Sequence, residues 1–153
     1  GMNTVNEAGV AVGLGILVFN YLAGWLAHLA LCALAPPGSA PKTVWHSRDG
    51  CYRLSACDDA RSQLAALLRL YRRGLMEPLR FFPKAAWKFA QSGNRYQALG
   101  VWKSTRQQPW GEENDAAYRL ALRGCVEALD ADFEACALTV FGPMKNCLRD
   151  ERL

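Results

Sequence analysis

The spacing of apolar positions changes several times along this chain, and each change marks an element. Residues 8–41 contain no Asp, Glu, Lys or Arg. Their second half, Tyr21-Leu22-Ala23-Gly24-Trp25-Leu26-Ala27-His28-Leu29, is apolar nearly all round at helical spacing. A helix of that kind is buried, either in a protein core or in lipid. Pro36-Pro37-Gly38-Ser39 ends it. The period then drops to two. Thr43 to Ser47 and Cys51 to Ser55 alternate, are rich in β-formers and flank Arg48-Asp49-Gly50, which predicts a β-hairpin. Two strands alone are marginally stable, so the hairpin must lie on helices or extend another sheet.

Helical spacing returns after Ser55-Ala56-Cys57-Asp58, which has the form of a capping box with Asp in place of Glu. Ala60, Leu64, Leu67, Leu68, Tyr71 and Leu75 then form one apolar stripe, and Gly74 suits the helix end. At about 100° per residue, Arg69, Arg72 and Arg73 fall together on the face away from that stripe. Pro78 and Pro83 hold the four residues between them extended, and two of those are Phe81 and Phe82. Burying an aromatic side chain contributes roughly 1.5–3 kcal/mol. The connector is therefore an anchor, and the apolar faces of the helices on either side favour the chain's own core over a partner. Beyond it, helices are expected over 85–91, presenting Trp87 and Phe89, and over 96–105, with Leu99 and Trp102 inward. Residues 107–114 read as loop. Asn114 or Asp115 caps a helix over 116–123 that Gly124 ends. Asp130 or Asp132 opens the last helix, with Phe133, Ala137, Val140, Phe141, Met144 and Leu148 on one face; Pro143 is expected to kink or split it.

Length sets the scale. A chain of 153 residues suffices for one domain with a real core. The expected division is a leader over 1–19, a domain over 20–149 and a tail over 150–153; Gly1 before Met2 reads as a tag-removal scar. The formal net charge of +4 hides an asymmetry. Residues 1–41 carry only Glu7, residues 42–110 hold thirteen Lys/Arg against four acids, and residues 111–153 hold five against nine. Such a basic middle faces phosphate, an acidic partner or the chain's own acidic tail. The candidate DNA or partner contacts are Arg69, Arg72, Arg73, Arg80, Lys84 and Lys88; an ordinary solvated face is the competing reading. Val10 to Leu34 is long enough to cross a bilayer, which raises a membrane-anchored protein with a basic cytoplasmic domain as the alternative. Asn20, His28, three glycines and the lack of a flanking basic cluster speak against it.

Candidate chemistry is sparse. None of the six cysteines forms a CxxC pair, and only His28 and His46 are available to complete a metal site. Free thiols packed as small hydrophobes are favoured over a disulfide framework. No phosphate-cradling glycine loop, HExxH or GxSxG occurs. No carboxylate of the middle sits on an expected strand in an Asp/Glu-x-Lys pattern, as a metal-dependent nuclease requires. Glu112, Glu113 and Asp115 are better explained as helix capping, His28 as a satisfied core histidine and His46 as an outward strand residue. The residues point to a protein that is not an enzyme and needs neither metal nor cofactor.

Four segments, in order, resemble the C-terminal region of RecC, the gamma subunit of exodeoxyribonuclease V (the RecBCD helicase–nuclease). They are Gly24-Trp25-Leu26-Ala27-His28-Leu29; Leu64 to Gly74 continuing through Pro78-Leu79-Arg80-Phe81-Phe82-Pro83-Lys84-Ala85-Ala86-Trp87; Asp115 to Gly124 around Tyr118; and Phe133-Glu134 with Val140-Phe141-Gly142-Pro143. The second is the most specific. The resemblance implies an α+β fold, predominantly helical with a short hairpin, as a degenerate PD-(D/E)XK-like nuclease domain without its metal-binding carboxylates. It implies Trp25, His28, Pro78, Phe81, Phe82, Pro83, Trp87, Tyr118, Phe141 and Pro143 as motif anchors. It also implies a cytoplasmic, non-catalytic role in DNA repair: contact with the helicase–nuclease subunits, and guidance of single-stranded or unwound DNA. Residues 2–19 depart from the family, which is basic and polar there, and their apolar surplus suggests homodimerisation.

Overall fold

The computed structural model of the chain describes residues 21–47, 50–106, 109–125 and 127–151, with backbone only for residues 47, 50, 150 and 151. The expected leader lies outside these residues. Helix α1 occupies 21–34. A hairpin follows, β1 (Thr43–Ser47) and β2 (Gly50–Leu54), then α2 (Ala60–Gly74), α3 (Pro83–Ser92) and α4 (Arg95–Trp102). A 3₁₀ turn (Glu112–Asn114) leads into the short α5 (Ala116–Ala121), then α6 (Ala131–Cys147) and β3 (Leu148–Glu151). The architecture is α+β: helices against one antiparallel sheet of order β1-β2-β3.

The hairpin register pairs Trp45 with Tyr52 and Ser47 with Gly50, as a two-residue loop requires. Gly50, expected in the connection with Arg48 and Asp49, instead opens β2 opposite Ser47; Arg48 and Asp49 lie outside the described residues. β3 pairs with β2, Leu54 opposite Leu148, where a tail and a longer helix are expected from sequence. This third strand supplies the extension that a lone hairpin needs. His46 points to solvent, and Trp45 and Tyr52, stacked at 5.5 Å, turn toward the core. There Tyr21 of α1 meets Trp45, Tyr52 and Trp87 at centroid distances of 5.8, 5.5 and 5.3 Å, joining the sheet to α3.

α3 is the central helix and packs chiefly on α6 and α4. Proline at its first position costs no hydrogen bond, because that amide has no helical partner in any case. Phe82, its N-cap, is extended and 1% exposed. Its ring lies 4.1 Å from Trp102, 5.1 Å from Tyr118 and 5.9 Å from Phe133, while Phe81 packs at 5.8 Å from Phe141. Both Phe side chains of the connector thus face the chain's own core.

Three sequence expectations fail for identifiable reasons. The capping box does not form. Asp59, not Ser55, is the N-cap of α2, with no side-chain cap bond, and the Ser55 amide and hydroxyl both donate to the Cys147 carbonyl, at 2.9 and 3.0 Å. Ser55 therefore serves the end of α6 instead of the start of α2. The apolar stripe of α2 is rotated: Ala60, Leu64, Leu67 and Leu70 face inward, and Leu68, Tyr71 and Leu75 face solvent. Of the kink or split expected at Pro143, the split does not occur: α6 runs unbroken to Cys147. A proline in mid-helix costs about 3 kcal/mol, but Phe141 and Met144, fully buried on either side of it, hold both halves against the core.

Phe82→Ala is expected to lower unfolding free energy by about 3–5 kcal/mol in urea denaturation, as for a fully buried Phe truncated where three neighbours cannot collapse.

Candidate functional site

Two charged side chains from distant parts of the chain hold the ends of α3. Gly111 sits against the backbone of Lys103 and Ser104; a Cβ there would meet their carbonyl and amide atoms at 2.5–2.6 Å. This close approach, together with the Ser104 amide donating to Glu113, fixes the turn that carries Glu112. The Glu112 carboxylate, nearly buried, accepts the amides of Lys84 and Ala85 at 2.9 and 2.8 Å. It thus caps α3 from a distant loop, a negative group on the positive end of the helix. Burial raises its pKa, opposed by those two amides and by the nearby Lys84 ammonium. At the other end, Lys145 Nζ donates to the Ala90 and Gln91 carbonyls at 3.0 Å each. Capping by the 112–115 cluster is as expected, Asp115 serving α5 through the amides of Ala117 and Tyr118. That Glu112 reaches α3, and that Lys145 answers it, had no local sequence signal.

The six candidate contact cations divide. Arg73 pairs with Glu77 at 2.5 Å and Asp132 at 2.6 Å. Arg80 pairs with Asp130 at 3.1 Å and donates to the Glu127 carbonyl. These two are turned toward the acidic start of α6, joined by Arg95, which pairs with Glu127 and Glu134 at 3.1 and 2.7 Å. The basic middle thus neutralises much of the chain's own acidic tail. Asp130 is used twice, since it also caps α6 through the Phe133 amide at 3.0 Å. Arg69 and Arg72 are exposed, Lys84 and Lys88 half-buried, and none of the four has a carboxylate partner among the described residues.

The motif anchors are core, with one exception. Trp25, His28, Phe82, Trp87 and Phe141 are buried; Phe81, Pro83, Tyr118 and Pro143 are half-buried; Pro78 is exposed. His28 accounts for both ring nitrogens, Nε2 with the Ser55 carbonyl at 2.9 Å and Nδ1 with the Thr43 hydroxyl at 2.8 Å. A carbonyl only accepts, so Nε2 carries the proton. His28 therefore ties α1 to β1 and to the end of β2. Burial pushes the Tyr118 hydroxyl up to about 12 and the Cys147 thiol up to about 11. It also raises the Cys57 and Cys136 thiols, which disfavours their thiolate forms. All six cysteines are free, and among the described residues no group of three or more His, Cys, Asp or Glu can hold a metal.

A half-open cleft of about 520 Å³ lies beside α4 and α5. Leu99, Trp102, Tyr118 and Leu129 line it, with Arg95, Lys103 and Arg119 among its polar groups. Arg95 is committed to Glu127 and Glu134, so Lys103 and Arg119 are the cations left to face the opening.

Residues 19–94 match the family model described as the RecC C-terminal domain. That span takes in the first two of the four segments that carry the resemblance, the Trp25 helix and the run through the connector, the second being the most specific; the segments around Tyr118 and Phe141 lie beyond it. No curated protein and no solved structure matches the chain.

Two carboxylates should titrate with opposite consequences. Arg73 holds Asp132 below its ordinary 3.8. Its stabilising contribution is present above the unfolded value and is lost as pH falls through the folded one. Asp132→Asn should flatten the acid limb of the stability–pH curve below about pH 4. Glu112 is raised above its ordinary 4.5, so its contribution is complete below the unfolded value and declines as pH rises through the folded one. Glu112→Gln should abolish that decline, read from urea midpoints between about pH 4 and pH 8.

Proposed function

Because residues 19–94 place this chain in the RecC C-terminal domain family, we propose that it is a non-catalytic, RecC-like gamma-subunit fragment acting by protein contact in double-strand break repair. Family membership carries this reading. Its partners are the helicase–nuclease subunits of a RecBCD-type assembly, and its compartment is the cytoplasm. The fold descends, on the same ground, from a PD-(D/E)XK nuclease domain that no longer cuts.

The division of the cations supports contact with protein ahead of contact with DNA. Of the six candidates, Arg73 and Arg80 are occupied within the fold, so a strand-guiding role falls to Arg69, Arg72, Lys84 and Lys88. Phosphate contact by so few groups gives weak, salt-sensitive binding. The membrane alternative has less support. No helix among the described residues is long and apolar enough to cross a bilayer. The described part of the candidate span, α1, buries Tyr21, Trp25, His28 and Leu29 against protein; residues 10–20 lie outside the described chain.

Co-expression with the helicase and nuclease subunits, followed by affinity capture through either of them, should retain this chain. The purified chain alone should not degrade linear DNA in Mg²⁺. Failure to co-purify, or robust Mg²⁺-dependent degradation, contradicts the reading. Single-stranded DNA binding should fall steeply with salt and with Arg69→Glu/Arg72→Glu; no affinity even at low salt removes strand guidance and leaves contact with protein.

A further inference from the structure

α2 carries two apolar lines, and the described fold covers one of them. Leu68, Tyr71, Leu75 and Met76 are 65%, 66%, 70% and 76% exposed. The first three recur at i, i+3 and i+7, which places them in one row along the outward face, and Met76 continues it past the helix end. Single exposed hydrophobics are ordinary. Four within nine residues make a contiguous patch on the order of a few hundred Å², the size at which soluble proteins make contacts.

Charge selects what fits there. α2 contains no acidic residue, and its only charges are Arg61, Arg69, Arg72 and Arg73. Arg73 is neutralised by Glu77 and Asp132. Arg72, expected on the face away from these apolar residues, lies instead beside the row, four residues after Leu68 and three before Leu75, with Arg69 behind it; both are exposed and without an ion pair among the described residues. A mostly aliphatic row with one aromatic is a poor stacking platform for bases. An amphipathic helix laid along it would bury its own apolar face on Leu68, Tyr71 and Leu75 and bring acids to Arg69 and Arg72.

We propose that the outward face of α2 docks an acidic amphipathic helix of a protein partner. The inference rests on the protein-contact reading above and names the surface that serves it.

The test uses the full chain and two fluorescein-labelled peptides of about 18 residues. Both have Leu at i, i+3, i+4 and i+7; one carries Glu and the other Lys at the remaining positions. Anisotropy at physiological salt should show the Glu peptide binding about tenfold or more tightly than the Lys peptide. Leu68→Ser/Leu75→Ser, at exposed positions and checked for unchanged thermal unfolding, should weaken binding by a similar factor. Arg69→Glu/Arg72→Glu should reverse the preference. Equal binding of the two peptides, binding unchanged by Leu68→Ser/Leu75→Ser, or displacement of the Glu peptide by oligo-dT or by anionic vesicles overturns the proposal. So does a dimer in size-exclusion chromatography that Leu68→Ser/Leu75→Ser dissociates, because the face then belongs to a second copy. Peptide binding without co-purification of the helicase–nuclease subunits leaves this surface standing and removes only the assembly assigned to it.

Discussion

Between Pro78 and Pro83 the backbone has little room to turn, and Phe82 is delivered at that point into a space walled by Trp102, Tyr118 and Phe133. Those rings come from α4, α5 and α6, which meet around this one side chain. The neighbouring residues extend the same tie: Phe81 reaches Phe141, and Arg80 reaches Asp130. α3 begins at the next residue, with its first free amides held by Glu112, whose loop is in turn fixed by Gly111 against Lys103 and Ser104. Each of these features presupposes the one before it. Removing the ring removes the common wall against which three helices are placed.

A second tier of organisation is electrostatic. The basic middle and the acidic tail, distant in sequence, close on one another at the start of α6 through Arg73, Arg80 and Arg95. Exposed pairs of this kind add little stability individually, but they decide which cations face outward. The chain's +9 middle segment is therefore a smaller external charge than its composition implies, and what remains on α2 lies beside an apolar row.

Local signals were readable and long-range ones were not. The Pro-bracketed connector, the existence of the hairpin, the Asp caps of α5 and α6 and the core role of His28 follow from residue types within a few positions of one another. β3 was hidden because residues 148–151 have no alternation of their own and become a strand only beside β2. The apolar residues of α2 cover more than one side of the helix, so periodicity alone admits two stripes. The core supplied by distant elements packs against Ala60, Leu64, Leu67 and Leu70, and Arg73 meets Asp132, 59 residues away; neither partner is visible in the local sequence. Ser55 has the spacing of a cap for α2, yet it is captured by a carbonyl 92 residues away. The residues that carry the resemblance lie, Pro78 excepted, in or against the core, while the outward face of α2 carries the surface on which contact is proposed.

Hydrogen–deuterium exchange of the full chain, alone and with the helicase–nuclease subunits, tests that separation most directly. New protection should be confined to residues 61–76 on the outward side of α2, with the connector and α3 already slow to exchange in the free chain. Protection that appears instead over residues 79–87, in a chain where that segment exchanges freely alone, would mean that Phe81 and Phe82 are partner anchors and would contradict it.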